Sequence, residues 1–113
     1  MQKIHILWAD DEIEFLKPHI LLLEQKDYKV KTVNNGSDAV EAFQNERFDL
    51  VFLDENMPGL TGLETLDKLK AINPSIPTVL VTKNEEEHLM EDAIGAKIDD
   101  YLIKPFSFTE LLL

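Results

Sequence analysis

The 113 residues are 44% hydrophobic, so we expect one globular domain that buries its own core. With 22 acidic and 11 basic residues the formal charge is −11, which repels phosphate backbones, so direct binding of nucleic acid is not expected. Cysteine is absent, which excludes disulfides and a thiol nucleophile, and no apolar run reaches membrane-spanning length, so we expect a cytoplasmic protein without membrane contact.

Apolar runs of strand length alternate with amphipathic stretches along the whole chain. Strands are predicted at residues 3–8, 29–33, 49–53, 78–81 and 99–103. The helical faces between them are carried by Ile13, Leu16, Ile20 and Leu23, by Ala39, Val40 and Phe43, by Leu63, Leu66, Leu69 and Ile72, and by Leu89, Ala93 and Ile94. Strict alternation favours a parallel sheet covered on both faces, an α/β, doubly wound (βα)5 three-layer sandwich.

The ends and interruptions of the helices can also be predicted. Pro18 has no amide hydrogen, so the first helix should lose a hydrogen bond and bend, or start late. A turn and a cap place the start of the second helix near Ser37, and Asn73 with the following proline ends the third. The last helix begins at Ser107 and covers about two turns, so it is expected to be truncated, with apolar surface left for a longer chain or a partner.

Two of the apolar runs end in acidic residues. Asp10 and Asp11 follow the first predicted strand, and Asp54 follows the third, where Pro58 and Gly59 prevent simple continuation. Because the carboxyl ends of parallel strands meet at one edge of a sheet, these three carboxylates should lie close together. Like charges at that range repel one another unless a cation compensates, and Mg²⁺ binds a few hard oxygens while it keeps several waters.

The fourth and fifth predicted strands end at the same edge, with Thr82 and Lys104. A metal ion and a lysine beside a carboxylate can neutralise the charge on a transferred phosphoryl group, with Asp54 as the nucleophile. The alternative is that the acids are merely solvated ends of strands. The hydroxyl and the ammonium group at the same edge favour a phosphoryl site.

These motifs together resemble a known family, the CheY-like receiver domains of two-component response regulators. The resemblance covers residues 3–109 and is carried by Asp10-Asp11, Asp54, Met57-Pro58-Gly59, Thr82 and Asp100-Tyr101-Leu102-Ile103-Lys104-Pro105-Phe106. It implies that residues 1–113 are one receiver domain with the flavodoxin/CheY-like strand order 2-1-3-4-5. Ile6-Leu7-Trp8, residues 53–60 and Lys97-Ile98 further resemble the PorX-type regulators of Bacteroidetes.

The resemblance implies a role for each acid at the site. Asp54 corresponds to the phosphoacceptor, and Asp10 and Asp11 correspond to the metal-binding acids. Asn56 corresponds to the residue whose backbone carbonyl completes the metal shell. The implied cofactor is Mg²⁺, for which Mn²⁺ is a substitute.

It also implies a switch. Thr82 and Tyr101 match the pair in which the hydroxyl moves toward the phosphoryl oxygen and the aromatic ring turns inward. Lys104 matches the lysine that contacts the phosphoryl group, and the bond from Lys104 to Pro105 is usually cis in the family. Lys83 stands where the family mostly has a small residue, so we expect a long cation beside the entrance to the site.

The function implied is a switch that accepts a phosphoryl group from a sensor histidine kinase and relays the signal to a C-terminal output domain or a protein partner. A homodimer through residues 85–113 is a further expectation. Such a domain is not an enzyme in the ordinary sense, because it catalyses only its own phosphorylation and dephosphorylation. Two alternatives stay open at this point. One is a hydrolase, which lacks a visible general acid, and the other is a receiver-like interaction module that works without phosphorylation.

Overall fold

The computed structural model describes residues 3–82, 98 and 100–103, with only the backbone of Thr82 and of residues 100–103. Its five strands are β1 (Ile4–Ala9), β2 (Tyr28–Val33), β3 (Leu50–Asp54), β4 (Thr78–Thr82) and β5 (Asp100–Ile103). They form one sheet of order β2-β1-β3-β4-β5 in which every pair is parallel. The predicted strand order is confirmed, and each strand end lies within one residue of its predicted position.

Helices follow the first three strands, namely α1 (Ile13–Gln25), α2 (Gly36–Asn45) and α3 (Gly62–Ile72). The helical face predicted at 89–94 and the predicted last helix lie outside the described residues. No helix among the described residues is both long enough and apolar enough to cross a bilayer.

The sheet is buried on both faces, as a doubly wound fold requires. Leu7 and Ala9 of β1 pack on one side, in a cluster with residues of α2 and α3. Ile6 and Trp8 point to the other side and pack with residues of α1. Trp8 is 0% exposed and stacks on Phe52 of β3 at 4.7 Å between ring centroids. The two central strands therefore have little freedom to move, which fixes the residues that follow them.

The first helix runs through its proline. α1 begins at Ile13 and contains Pro18, so the expected alternative of a late start is wrong. Pro18 cannot donate to the carbonyl of Glu14, and the bend expected from that missing bond stays a prediction.

The start predicted for the second helix is confirmed to within one residue. α2 starts at Gly36, next to Ser37, and its N-cap is Asn35, whose side chain accepts a hydrogen bond from the amide of Asp38 at 2.8 Å. The end predicted for the third helix is confirmed, since α3 stops at Ile72 with Asn73 as its C-cap.

Candidate functional site

The register of the strands brings the predicted site residues to one edge of the sheet. Ala9 of β1 is level with Leu53 of β3, so Asp10 and Asp54 follow as neighbours. The backbone pairing continues past the strand, because the amide of Asp10 donates to the carbonyl of Val33 at 3.0 Å. The backbone pairing of the sheet therefore fixes the position of Asp10.

The other side of the edge is formed by β4 and β5. Asp54 is level with Val81, whose carbonyl accepts from the amide of Glu55 at 3.1 Å. Thr82 is level with Ile103, so the backbones of β4 and β5 end together beside β3. The backbone thus places Thr82 at the predicted edge.

Four carboxylates gather at this edge. Asp10, Asp11, Glu12 and Asp54 each offer one oxygen, and these oxygens all lie within 4.8 Å of one another. Asp10 is 0% exposed and Asp54 is 3% exposed, whereas Glu12 is half-buried and Asp11 is exposed. The four carboxylates therefore extend from the buried base of the site, at Asp10 and Asp54, to the protein surface, where Asp11 is open to solvent.

The turn after β1 is held by Asp10. Its Oδ1 accepts a hydrogen bond from the amide of Glu12 at 2.8 Å, and the carbonyl of Glu12 accepts from the amide of Phe15 at 2.9 Å. Glu12 is thus the N-cap of α1, but its side chain makes no capping hydrogen bond. Sequence reasoning assigned no site role to Glu12. The signal that could have found it is its place as the third consecutive acid after a buried strand.

The loop after β3 separates two neighbouring acids. The amide of Asn56 donates to Oδ1 of Asp54 at 3.3 Å, which limits rotation of that carboxylate. Glu55 instead faces α3, where its carboxylate accepts from the amide of Leu63 at 3.1 Å and its carbonyl accepts from the amide of Gly62 at 3.1 Å. A carboxylate at the amino end of a helix is favoured by the free amides there. Glu55 therefore anchors α3 and is not a member of the acidic group.

The acidic group fits a small divalent cation. Oxygens bound to one Mg²⁺ lie about 2.1 Å from it and so at most about 4.2 Å apart. Oxygens within 4.8 Å of one another need only a small adjustment to reach that geometry. Carboxylates are also the hard ligands that Mg²⁺ and Mn²⁺ prefer. The chemistry of these donors therefore suits a hard divalent cation.

The structure thus describes the positions of some, but not all, of the predicted site residues. Asp10, Asp11 and Asp54 are together, and Asn56 lies two residues beyond Asp54 in the same loop. Of Thr82 and Tyr101 only the backbone is described, with Tyr101 level with Leu80 of the neighbouring strand. Lys83, Lys97, Lys104 and Pro105 lie outside the described residues, as does most of the dimer face predicted at 85–113.

Comparison with known proteins gives the family directly. The family model described as the response regulator receiver domain matches residues 6–113. The transcriptional regulatory protein ZraR of Klebsiella oxytoca is 37% identical over 112 residues, which cover 99% of this chain and 25% of that protein. The chain therefore spans about a quarter of the length of this curated relative.

Solved structures agree with that result. A CheY-like response regulator receiver domain protein from Methanospirillum hungatei JF-1 superposes with a TM-score of 0.91 at 26% identity, over 97% of this chain and 88% of that one. The BeF3-activated DrrB receiver domain gives a TM-score of 0.85 at 29% identity, over 97% and 92% of the two chains. The finer resemblance to PorX-type regulators stays a prediction. Since the family model spans residues 6–113, a range that includes Asp10, Asp11 and Asp54, the chain belongs to the response regulator receiver domains, the phosphorylation-dependent switches of two-component signalling.

Proposed function

We propose that Asp54 is the phosphoacceptor of this receiver domain and that its donor is a sensor histidine kinase. The observation that carries the proposal is the position of Asp54, which ends the central strand β3 and offers an oxygen within 4.8 Å of oxygens from three other carboxylates. A nucleophile in such a group can act on a phosphoryl donor only where a cation offsets the shared negative charge.

The transfer is a displacement at phosphorus. A carboxylate oxygen of Asp54 forms a bond to phosphorus while the bond from phosphorus to the donor's imidazole nitrogen breaks. The electron pair of the broken bond stays on that nitrogen, which takes a proton from water. The amide of Asn56, at 3.3 Å from Oδ1, keeps the carboxylate from rotating freely during this approach.

Asp10, Asp11, Asp54 and the backbone carbonyl of Asn56 are the groups that would hold Mg²⁺ or Mn²⁺. The bound cation would supply positive charge against the oxygens of the phosphoryl group. Asp10 holds the turn through the amide of Glu12, so its second contribution is to keep the neighbouring acids in place. Asp11 is exposed and can adjust to the ion.

Thr82, Tyr101 and Lys104 complete the proposed site. Lys104 contacts the phosphoryl oxygens as an ammonium donor, and Thr82 donates its hydroxyl to them. The ring of Tyr101 turns inward when Thr82 moves, and this motion carries the conformational change to the outer surface of β5. The support for these roles is the register that ends β4 and β5 beside Asp54, together with the family to which the chain belongs.

The signal then passes to an output domain or a protein partner. Support comes from the relative in Klebsiella oxytoca, a transcriptional regulatory protein. The region that matches this chain makes up 25% of the length of that relative. A homodimer through residues 85–113 remains part of the proposal. So does a cytoplasmic location, where a histidine kinase can reach the site. The domain is proposed to catalyse only its own phosphorylation and dephosphorylation.

Phosphorylation by acetyl phosphate with Mg²⁺ tests the assignment. Intact-mass measurement should show one added phosphoryl group on the natural chain and none on Asp54→Asn. Asp67→Asn is the matched control, because it removes the same charge from an exposed position on α3 and should still be phosphorylated. Phosphate on the Asp54→Asn protein would refute the site. A natural chain that binds Mg²⁺ but is never phosphorylated would instead favour the interaction module that works without phosphorylation.

A further inference from the structure

We propose that the open edge of β2 binds an extended peptide segment of a partner protein in which apolar and acidic residues alternate. Among the described strands, β2 (Tyr28–Val33) pairs with β1 alone and lies at one end of the sheet. An edge strand carries backbone amides and carbonyls that can pair with another chain. Extended peptides bind such edges as an added strand, with affinity from the backbone and specificity from alternate side chains.

The hydrogen bonds to β1 show which backbone groups of β2 face the open edge. The carbonyl of Val33 accepts from the amide of Asp10 at 3.0 Å, so the backbone of Val33 is directed toward β1. This direction alternates from one residue of a strand to the next. The amides and carbonyls of Val30 and Thr32 are therefore directed away from β1, where an added strand would pair with them.

The side chains of the same two residues line an apolar groove between β2 and α1. The groove has a volume of about 320 Å³. It is lined by Val30 and Thr32, by Ile13, Ile20 and Leu21 of α1, and by one residue of each charge, Lys17 and Glu24. Leu21 is 60% exposed, so an apolar side chain that entered the groove would remove part of Leu21 from water. The groove therefore favours apolar side chains.

The opposite face of β2 carries positive charge. Lys29 and Lys31 alternate with the groove residues along the strand, and both are exposed. Lys31 contacts Glu46 at 3.4 Å, and an ion pair between such exposed side chains contributes little. β2 contains no acidic residue, although the whole chain has 22 of them and a formal charge of −11. The strand is thus a basic edge on an acidic molecule, and it attracts acidic side chains.

The two faces of β2 together define the partner segment. A strand added beside β2 would place every second side chain over the groove and the others beside Lys29 and Lys31. The first set should be apolar and the second acidic. A second copy of β2 fits this edge poorly in antiparallel pairing, because its lysines would lie on the same face as Lys29 and Lys31, and like charges on neighbouring strands repel.

Binding of a synthetic peptide tests the proposal. The probe is a fluorescently labelled peptide with the six-residue length of β2, in which valine and glutamate alternate. Fluorescence anisotropy should show saturable binding to the natural chain, and a peptide with lysine in place of glutamate should bind about tenfold more weakly or worse. Hydrogen exchange followed by NMR should show that the amides of Val30 and Thr32 gain protection when the glutamate peptide binds.

N-methylated peptides test the backbone pairing without any change to the protein. Methylation of every second amide removes the donors along one edge of the peptide only. One of the two methylated forms should therefore bind about tenfold more weakly or worse, whereas the other should stay within about threefold of the parent peptide. Loss on methylation of the valines indicates antiparallel pairing, and loss on methylation of the glutamates indicates parallel pairing.

Matched variants of the protein test the two faces separately. Lys29→Glu should weaken binding about fivefold, whereas Lys68→Glu, an equal change of charge at an exposed position on α3, should stay within about twofold. Leu21→Gln should also weaken binding about fivefold. Its control is Leu22→Gln, since Leu22 is the next residue of α1 and is 39% exposed but does not line the groove.

Several results would overturn the proposal. These are a natural chain that does not bind the glutamate peptide, equal affinities for the two methylated forms, a Lys29→Glu protein that binds like Lys68→Glu, and unchanged exchange at Val30 and Thr32. Sedimentation of the natural chain without peptide addresses the other occupant. A dimer that the peptide dissociates would assign the edge to a second copy of this chain instead. None of these measurements depends on phosphorylation of Asp54, so they stand apart from the test of the proposed function.

Discussion

Gly62 is the point at which α3 touches the end of β3, at Asp54 and Glu55, and replacing it tests how tightly the site is packed. A Cβ at this position would lie 2.6 Å from the carbonyl oxygen of Asp54, 2.9 Å from Cα of Glu55 and 3.0 Å from the carbonyl carbon of Asp54. All three are backbone atoms, so no side chain can swing aside to make room. Gly62→Ala must therefore push α3 away from β3 or displace the backbone at Asp54.

The cost follows from those contacts. Overpacking a rigid site costs about 1–3 kcal/mol, and a clash with three backbone atoms belongs in the upper half of that range. Alanine recovers less than about 1 kcal/mol through its higher helix propensity, because position 62 is at the end of the helix. The expected net loss is about 2 kcal/mol of unfolding free energy, or about 8 °C in Tm for a domain of this size.

Thermal unfolding followed by circular dichroism measures the loss, and Mg²⁺ titration measures its effect on the site. The control is Gly59→Ala, where nothing lies within 4 Å of the added Cβ but φ is +77°. That variant carries only backbone strain, about 1 kcal/mol, and should keep its affinity for Mg²⁺. A Gly62→Ala protein as stable as the natural one, or a Gly59→Ala protein that loses more, would refute the reasoning.

Two further predictions concern the helix cap and the acidic group. Thr61 and Glu64 form a reciprocal capping box at the start of α3. Thr61→Ala should therefore lower the free energy of unfolding, measured in urea, by about 1 kcal/mol, whereas Thr61→Ser should stay close to the natural value. Equal losses for the two variants would contradict this. Asp54→Asn removes one charge from the acidic group, so this variant should have a higher Tm than the natural chain in EDTA. It should also lose the stabilisation that Mg²⁺ gives the natural chain, which is about 2.7 kcal/mol of unfolding free energy at a hundredfold excess of Mg²⁺ over Kd. An Asp54→Asn protein that Mg²⁺ stabilises as strongly as the natural chain would speak against the cation site.

The sheet could be predicted because its strands carry strong local signals. Runs such as Ile4–Ala9 and Leu50–Asp54 are apolar on both faces, and only a parallel sheet covered by helices buries them. The start of α2 could not be fixed in the same way, because Asn35 and Ser37 are both good caps. Tertiary contacts decide between them. A Cβ at Gly36 would clash with Thr65 Oγ1 and with Leu60, so the helix start is set by close approach to the α3 region.

The acidic residues at the edge of the sheet likewise differ in what the local sequence predicts and what only the folded structure decides. Glu12 and Glu55 each stand directly beside a predicted site acid, and nothing in the sequence distinguishes them. The turns after the strands do so, because one places Glu12 in the acidic group and the other directs Glu55 to the amide of Leu63. Sequence order gives the edge at which an acid emerges, whereas the partner of each carboxylate depends on backbone turns that form only in the folded chain.

The order of the strands bears on where the sheet could respond to phosphorylation at Asp54. β1, β3 and β4 have neighbours on both sides, and residues in them such as Leu7, Leu53 and Leu80 are 0% exposed, so displacement there would disturb the core. β2 and β5 are the edge strands of the described sheet, and each pairs with a single strand. If Asp54 accepts a phosphoryl group as proposed, the charge is added to a strand that is buried on both faces, so a response is less constrained at an edge strand. β5 is the edge strand on the side of β4, and the family resemblance to a switch through Thr82 and Tyr101 selects that edge over β2.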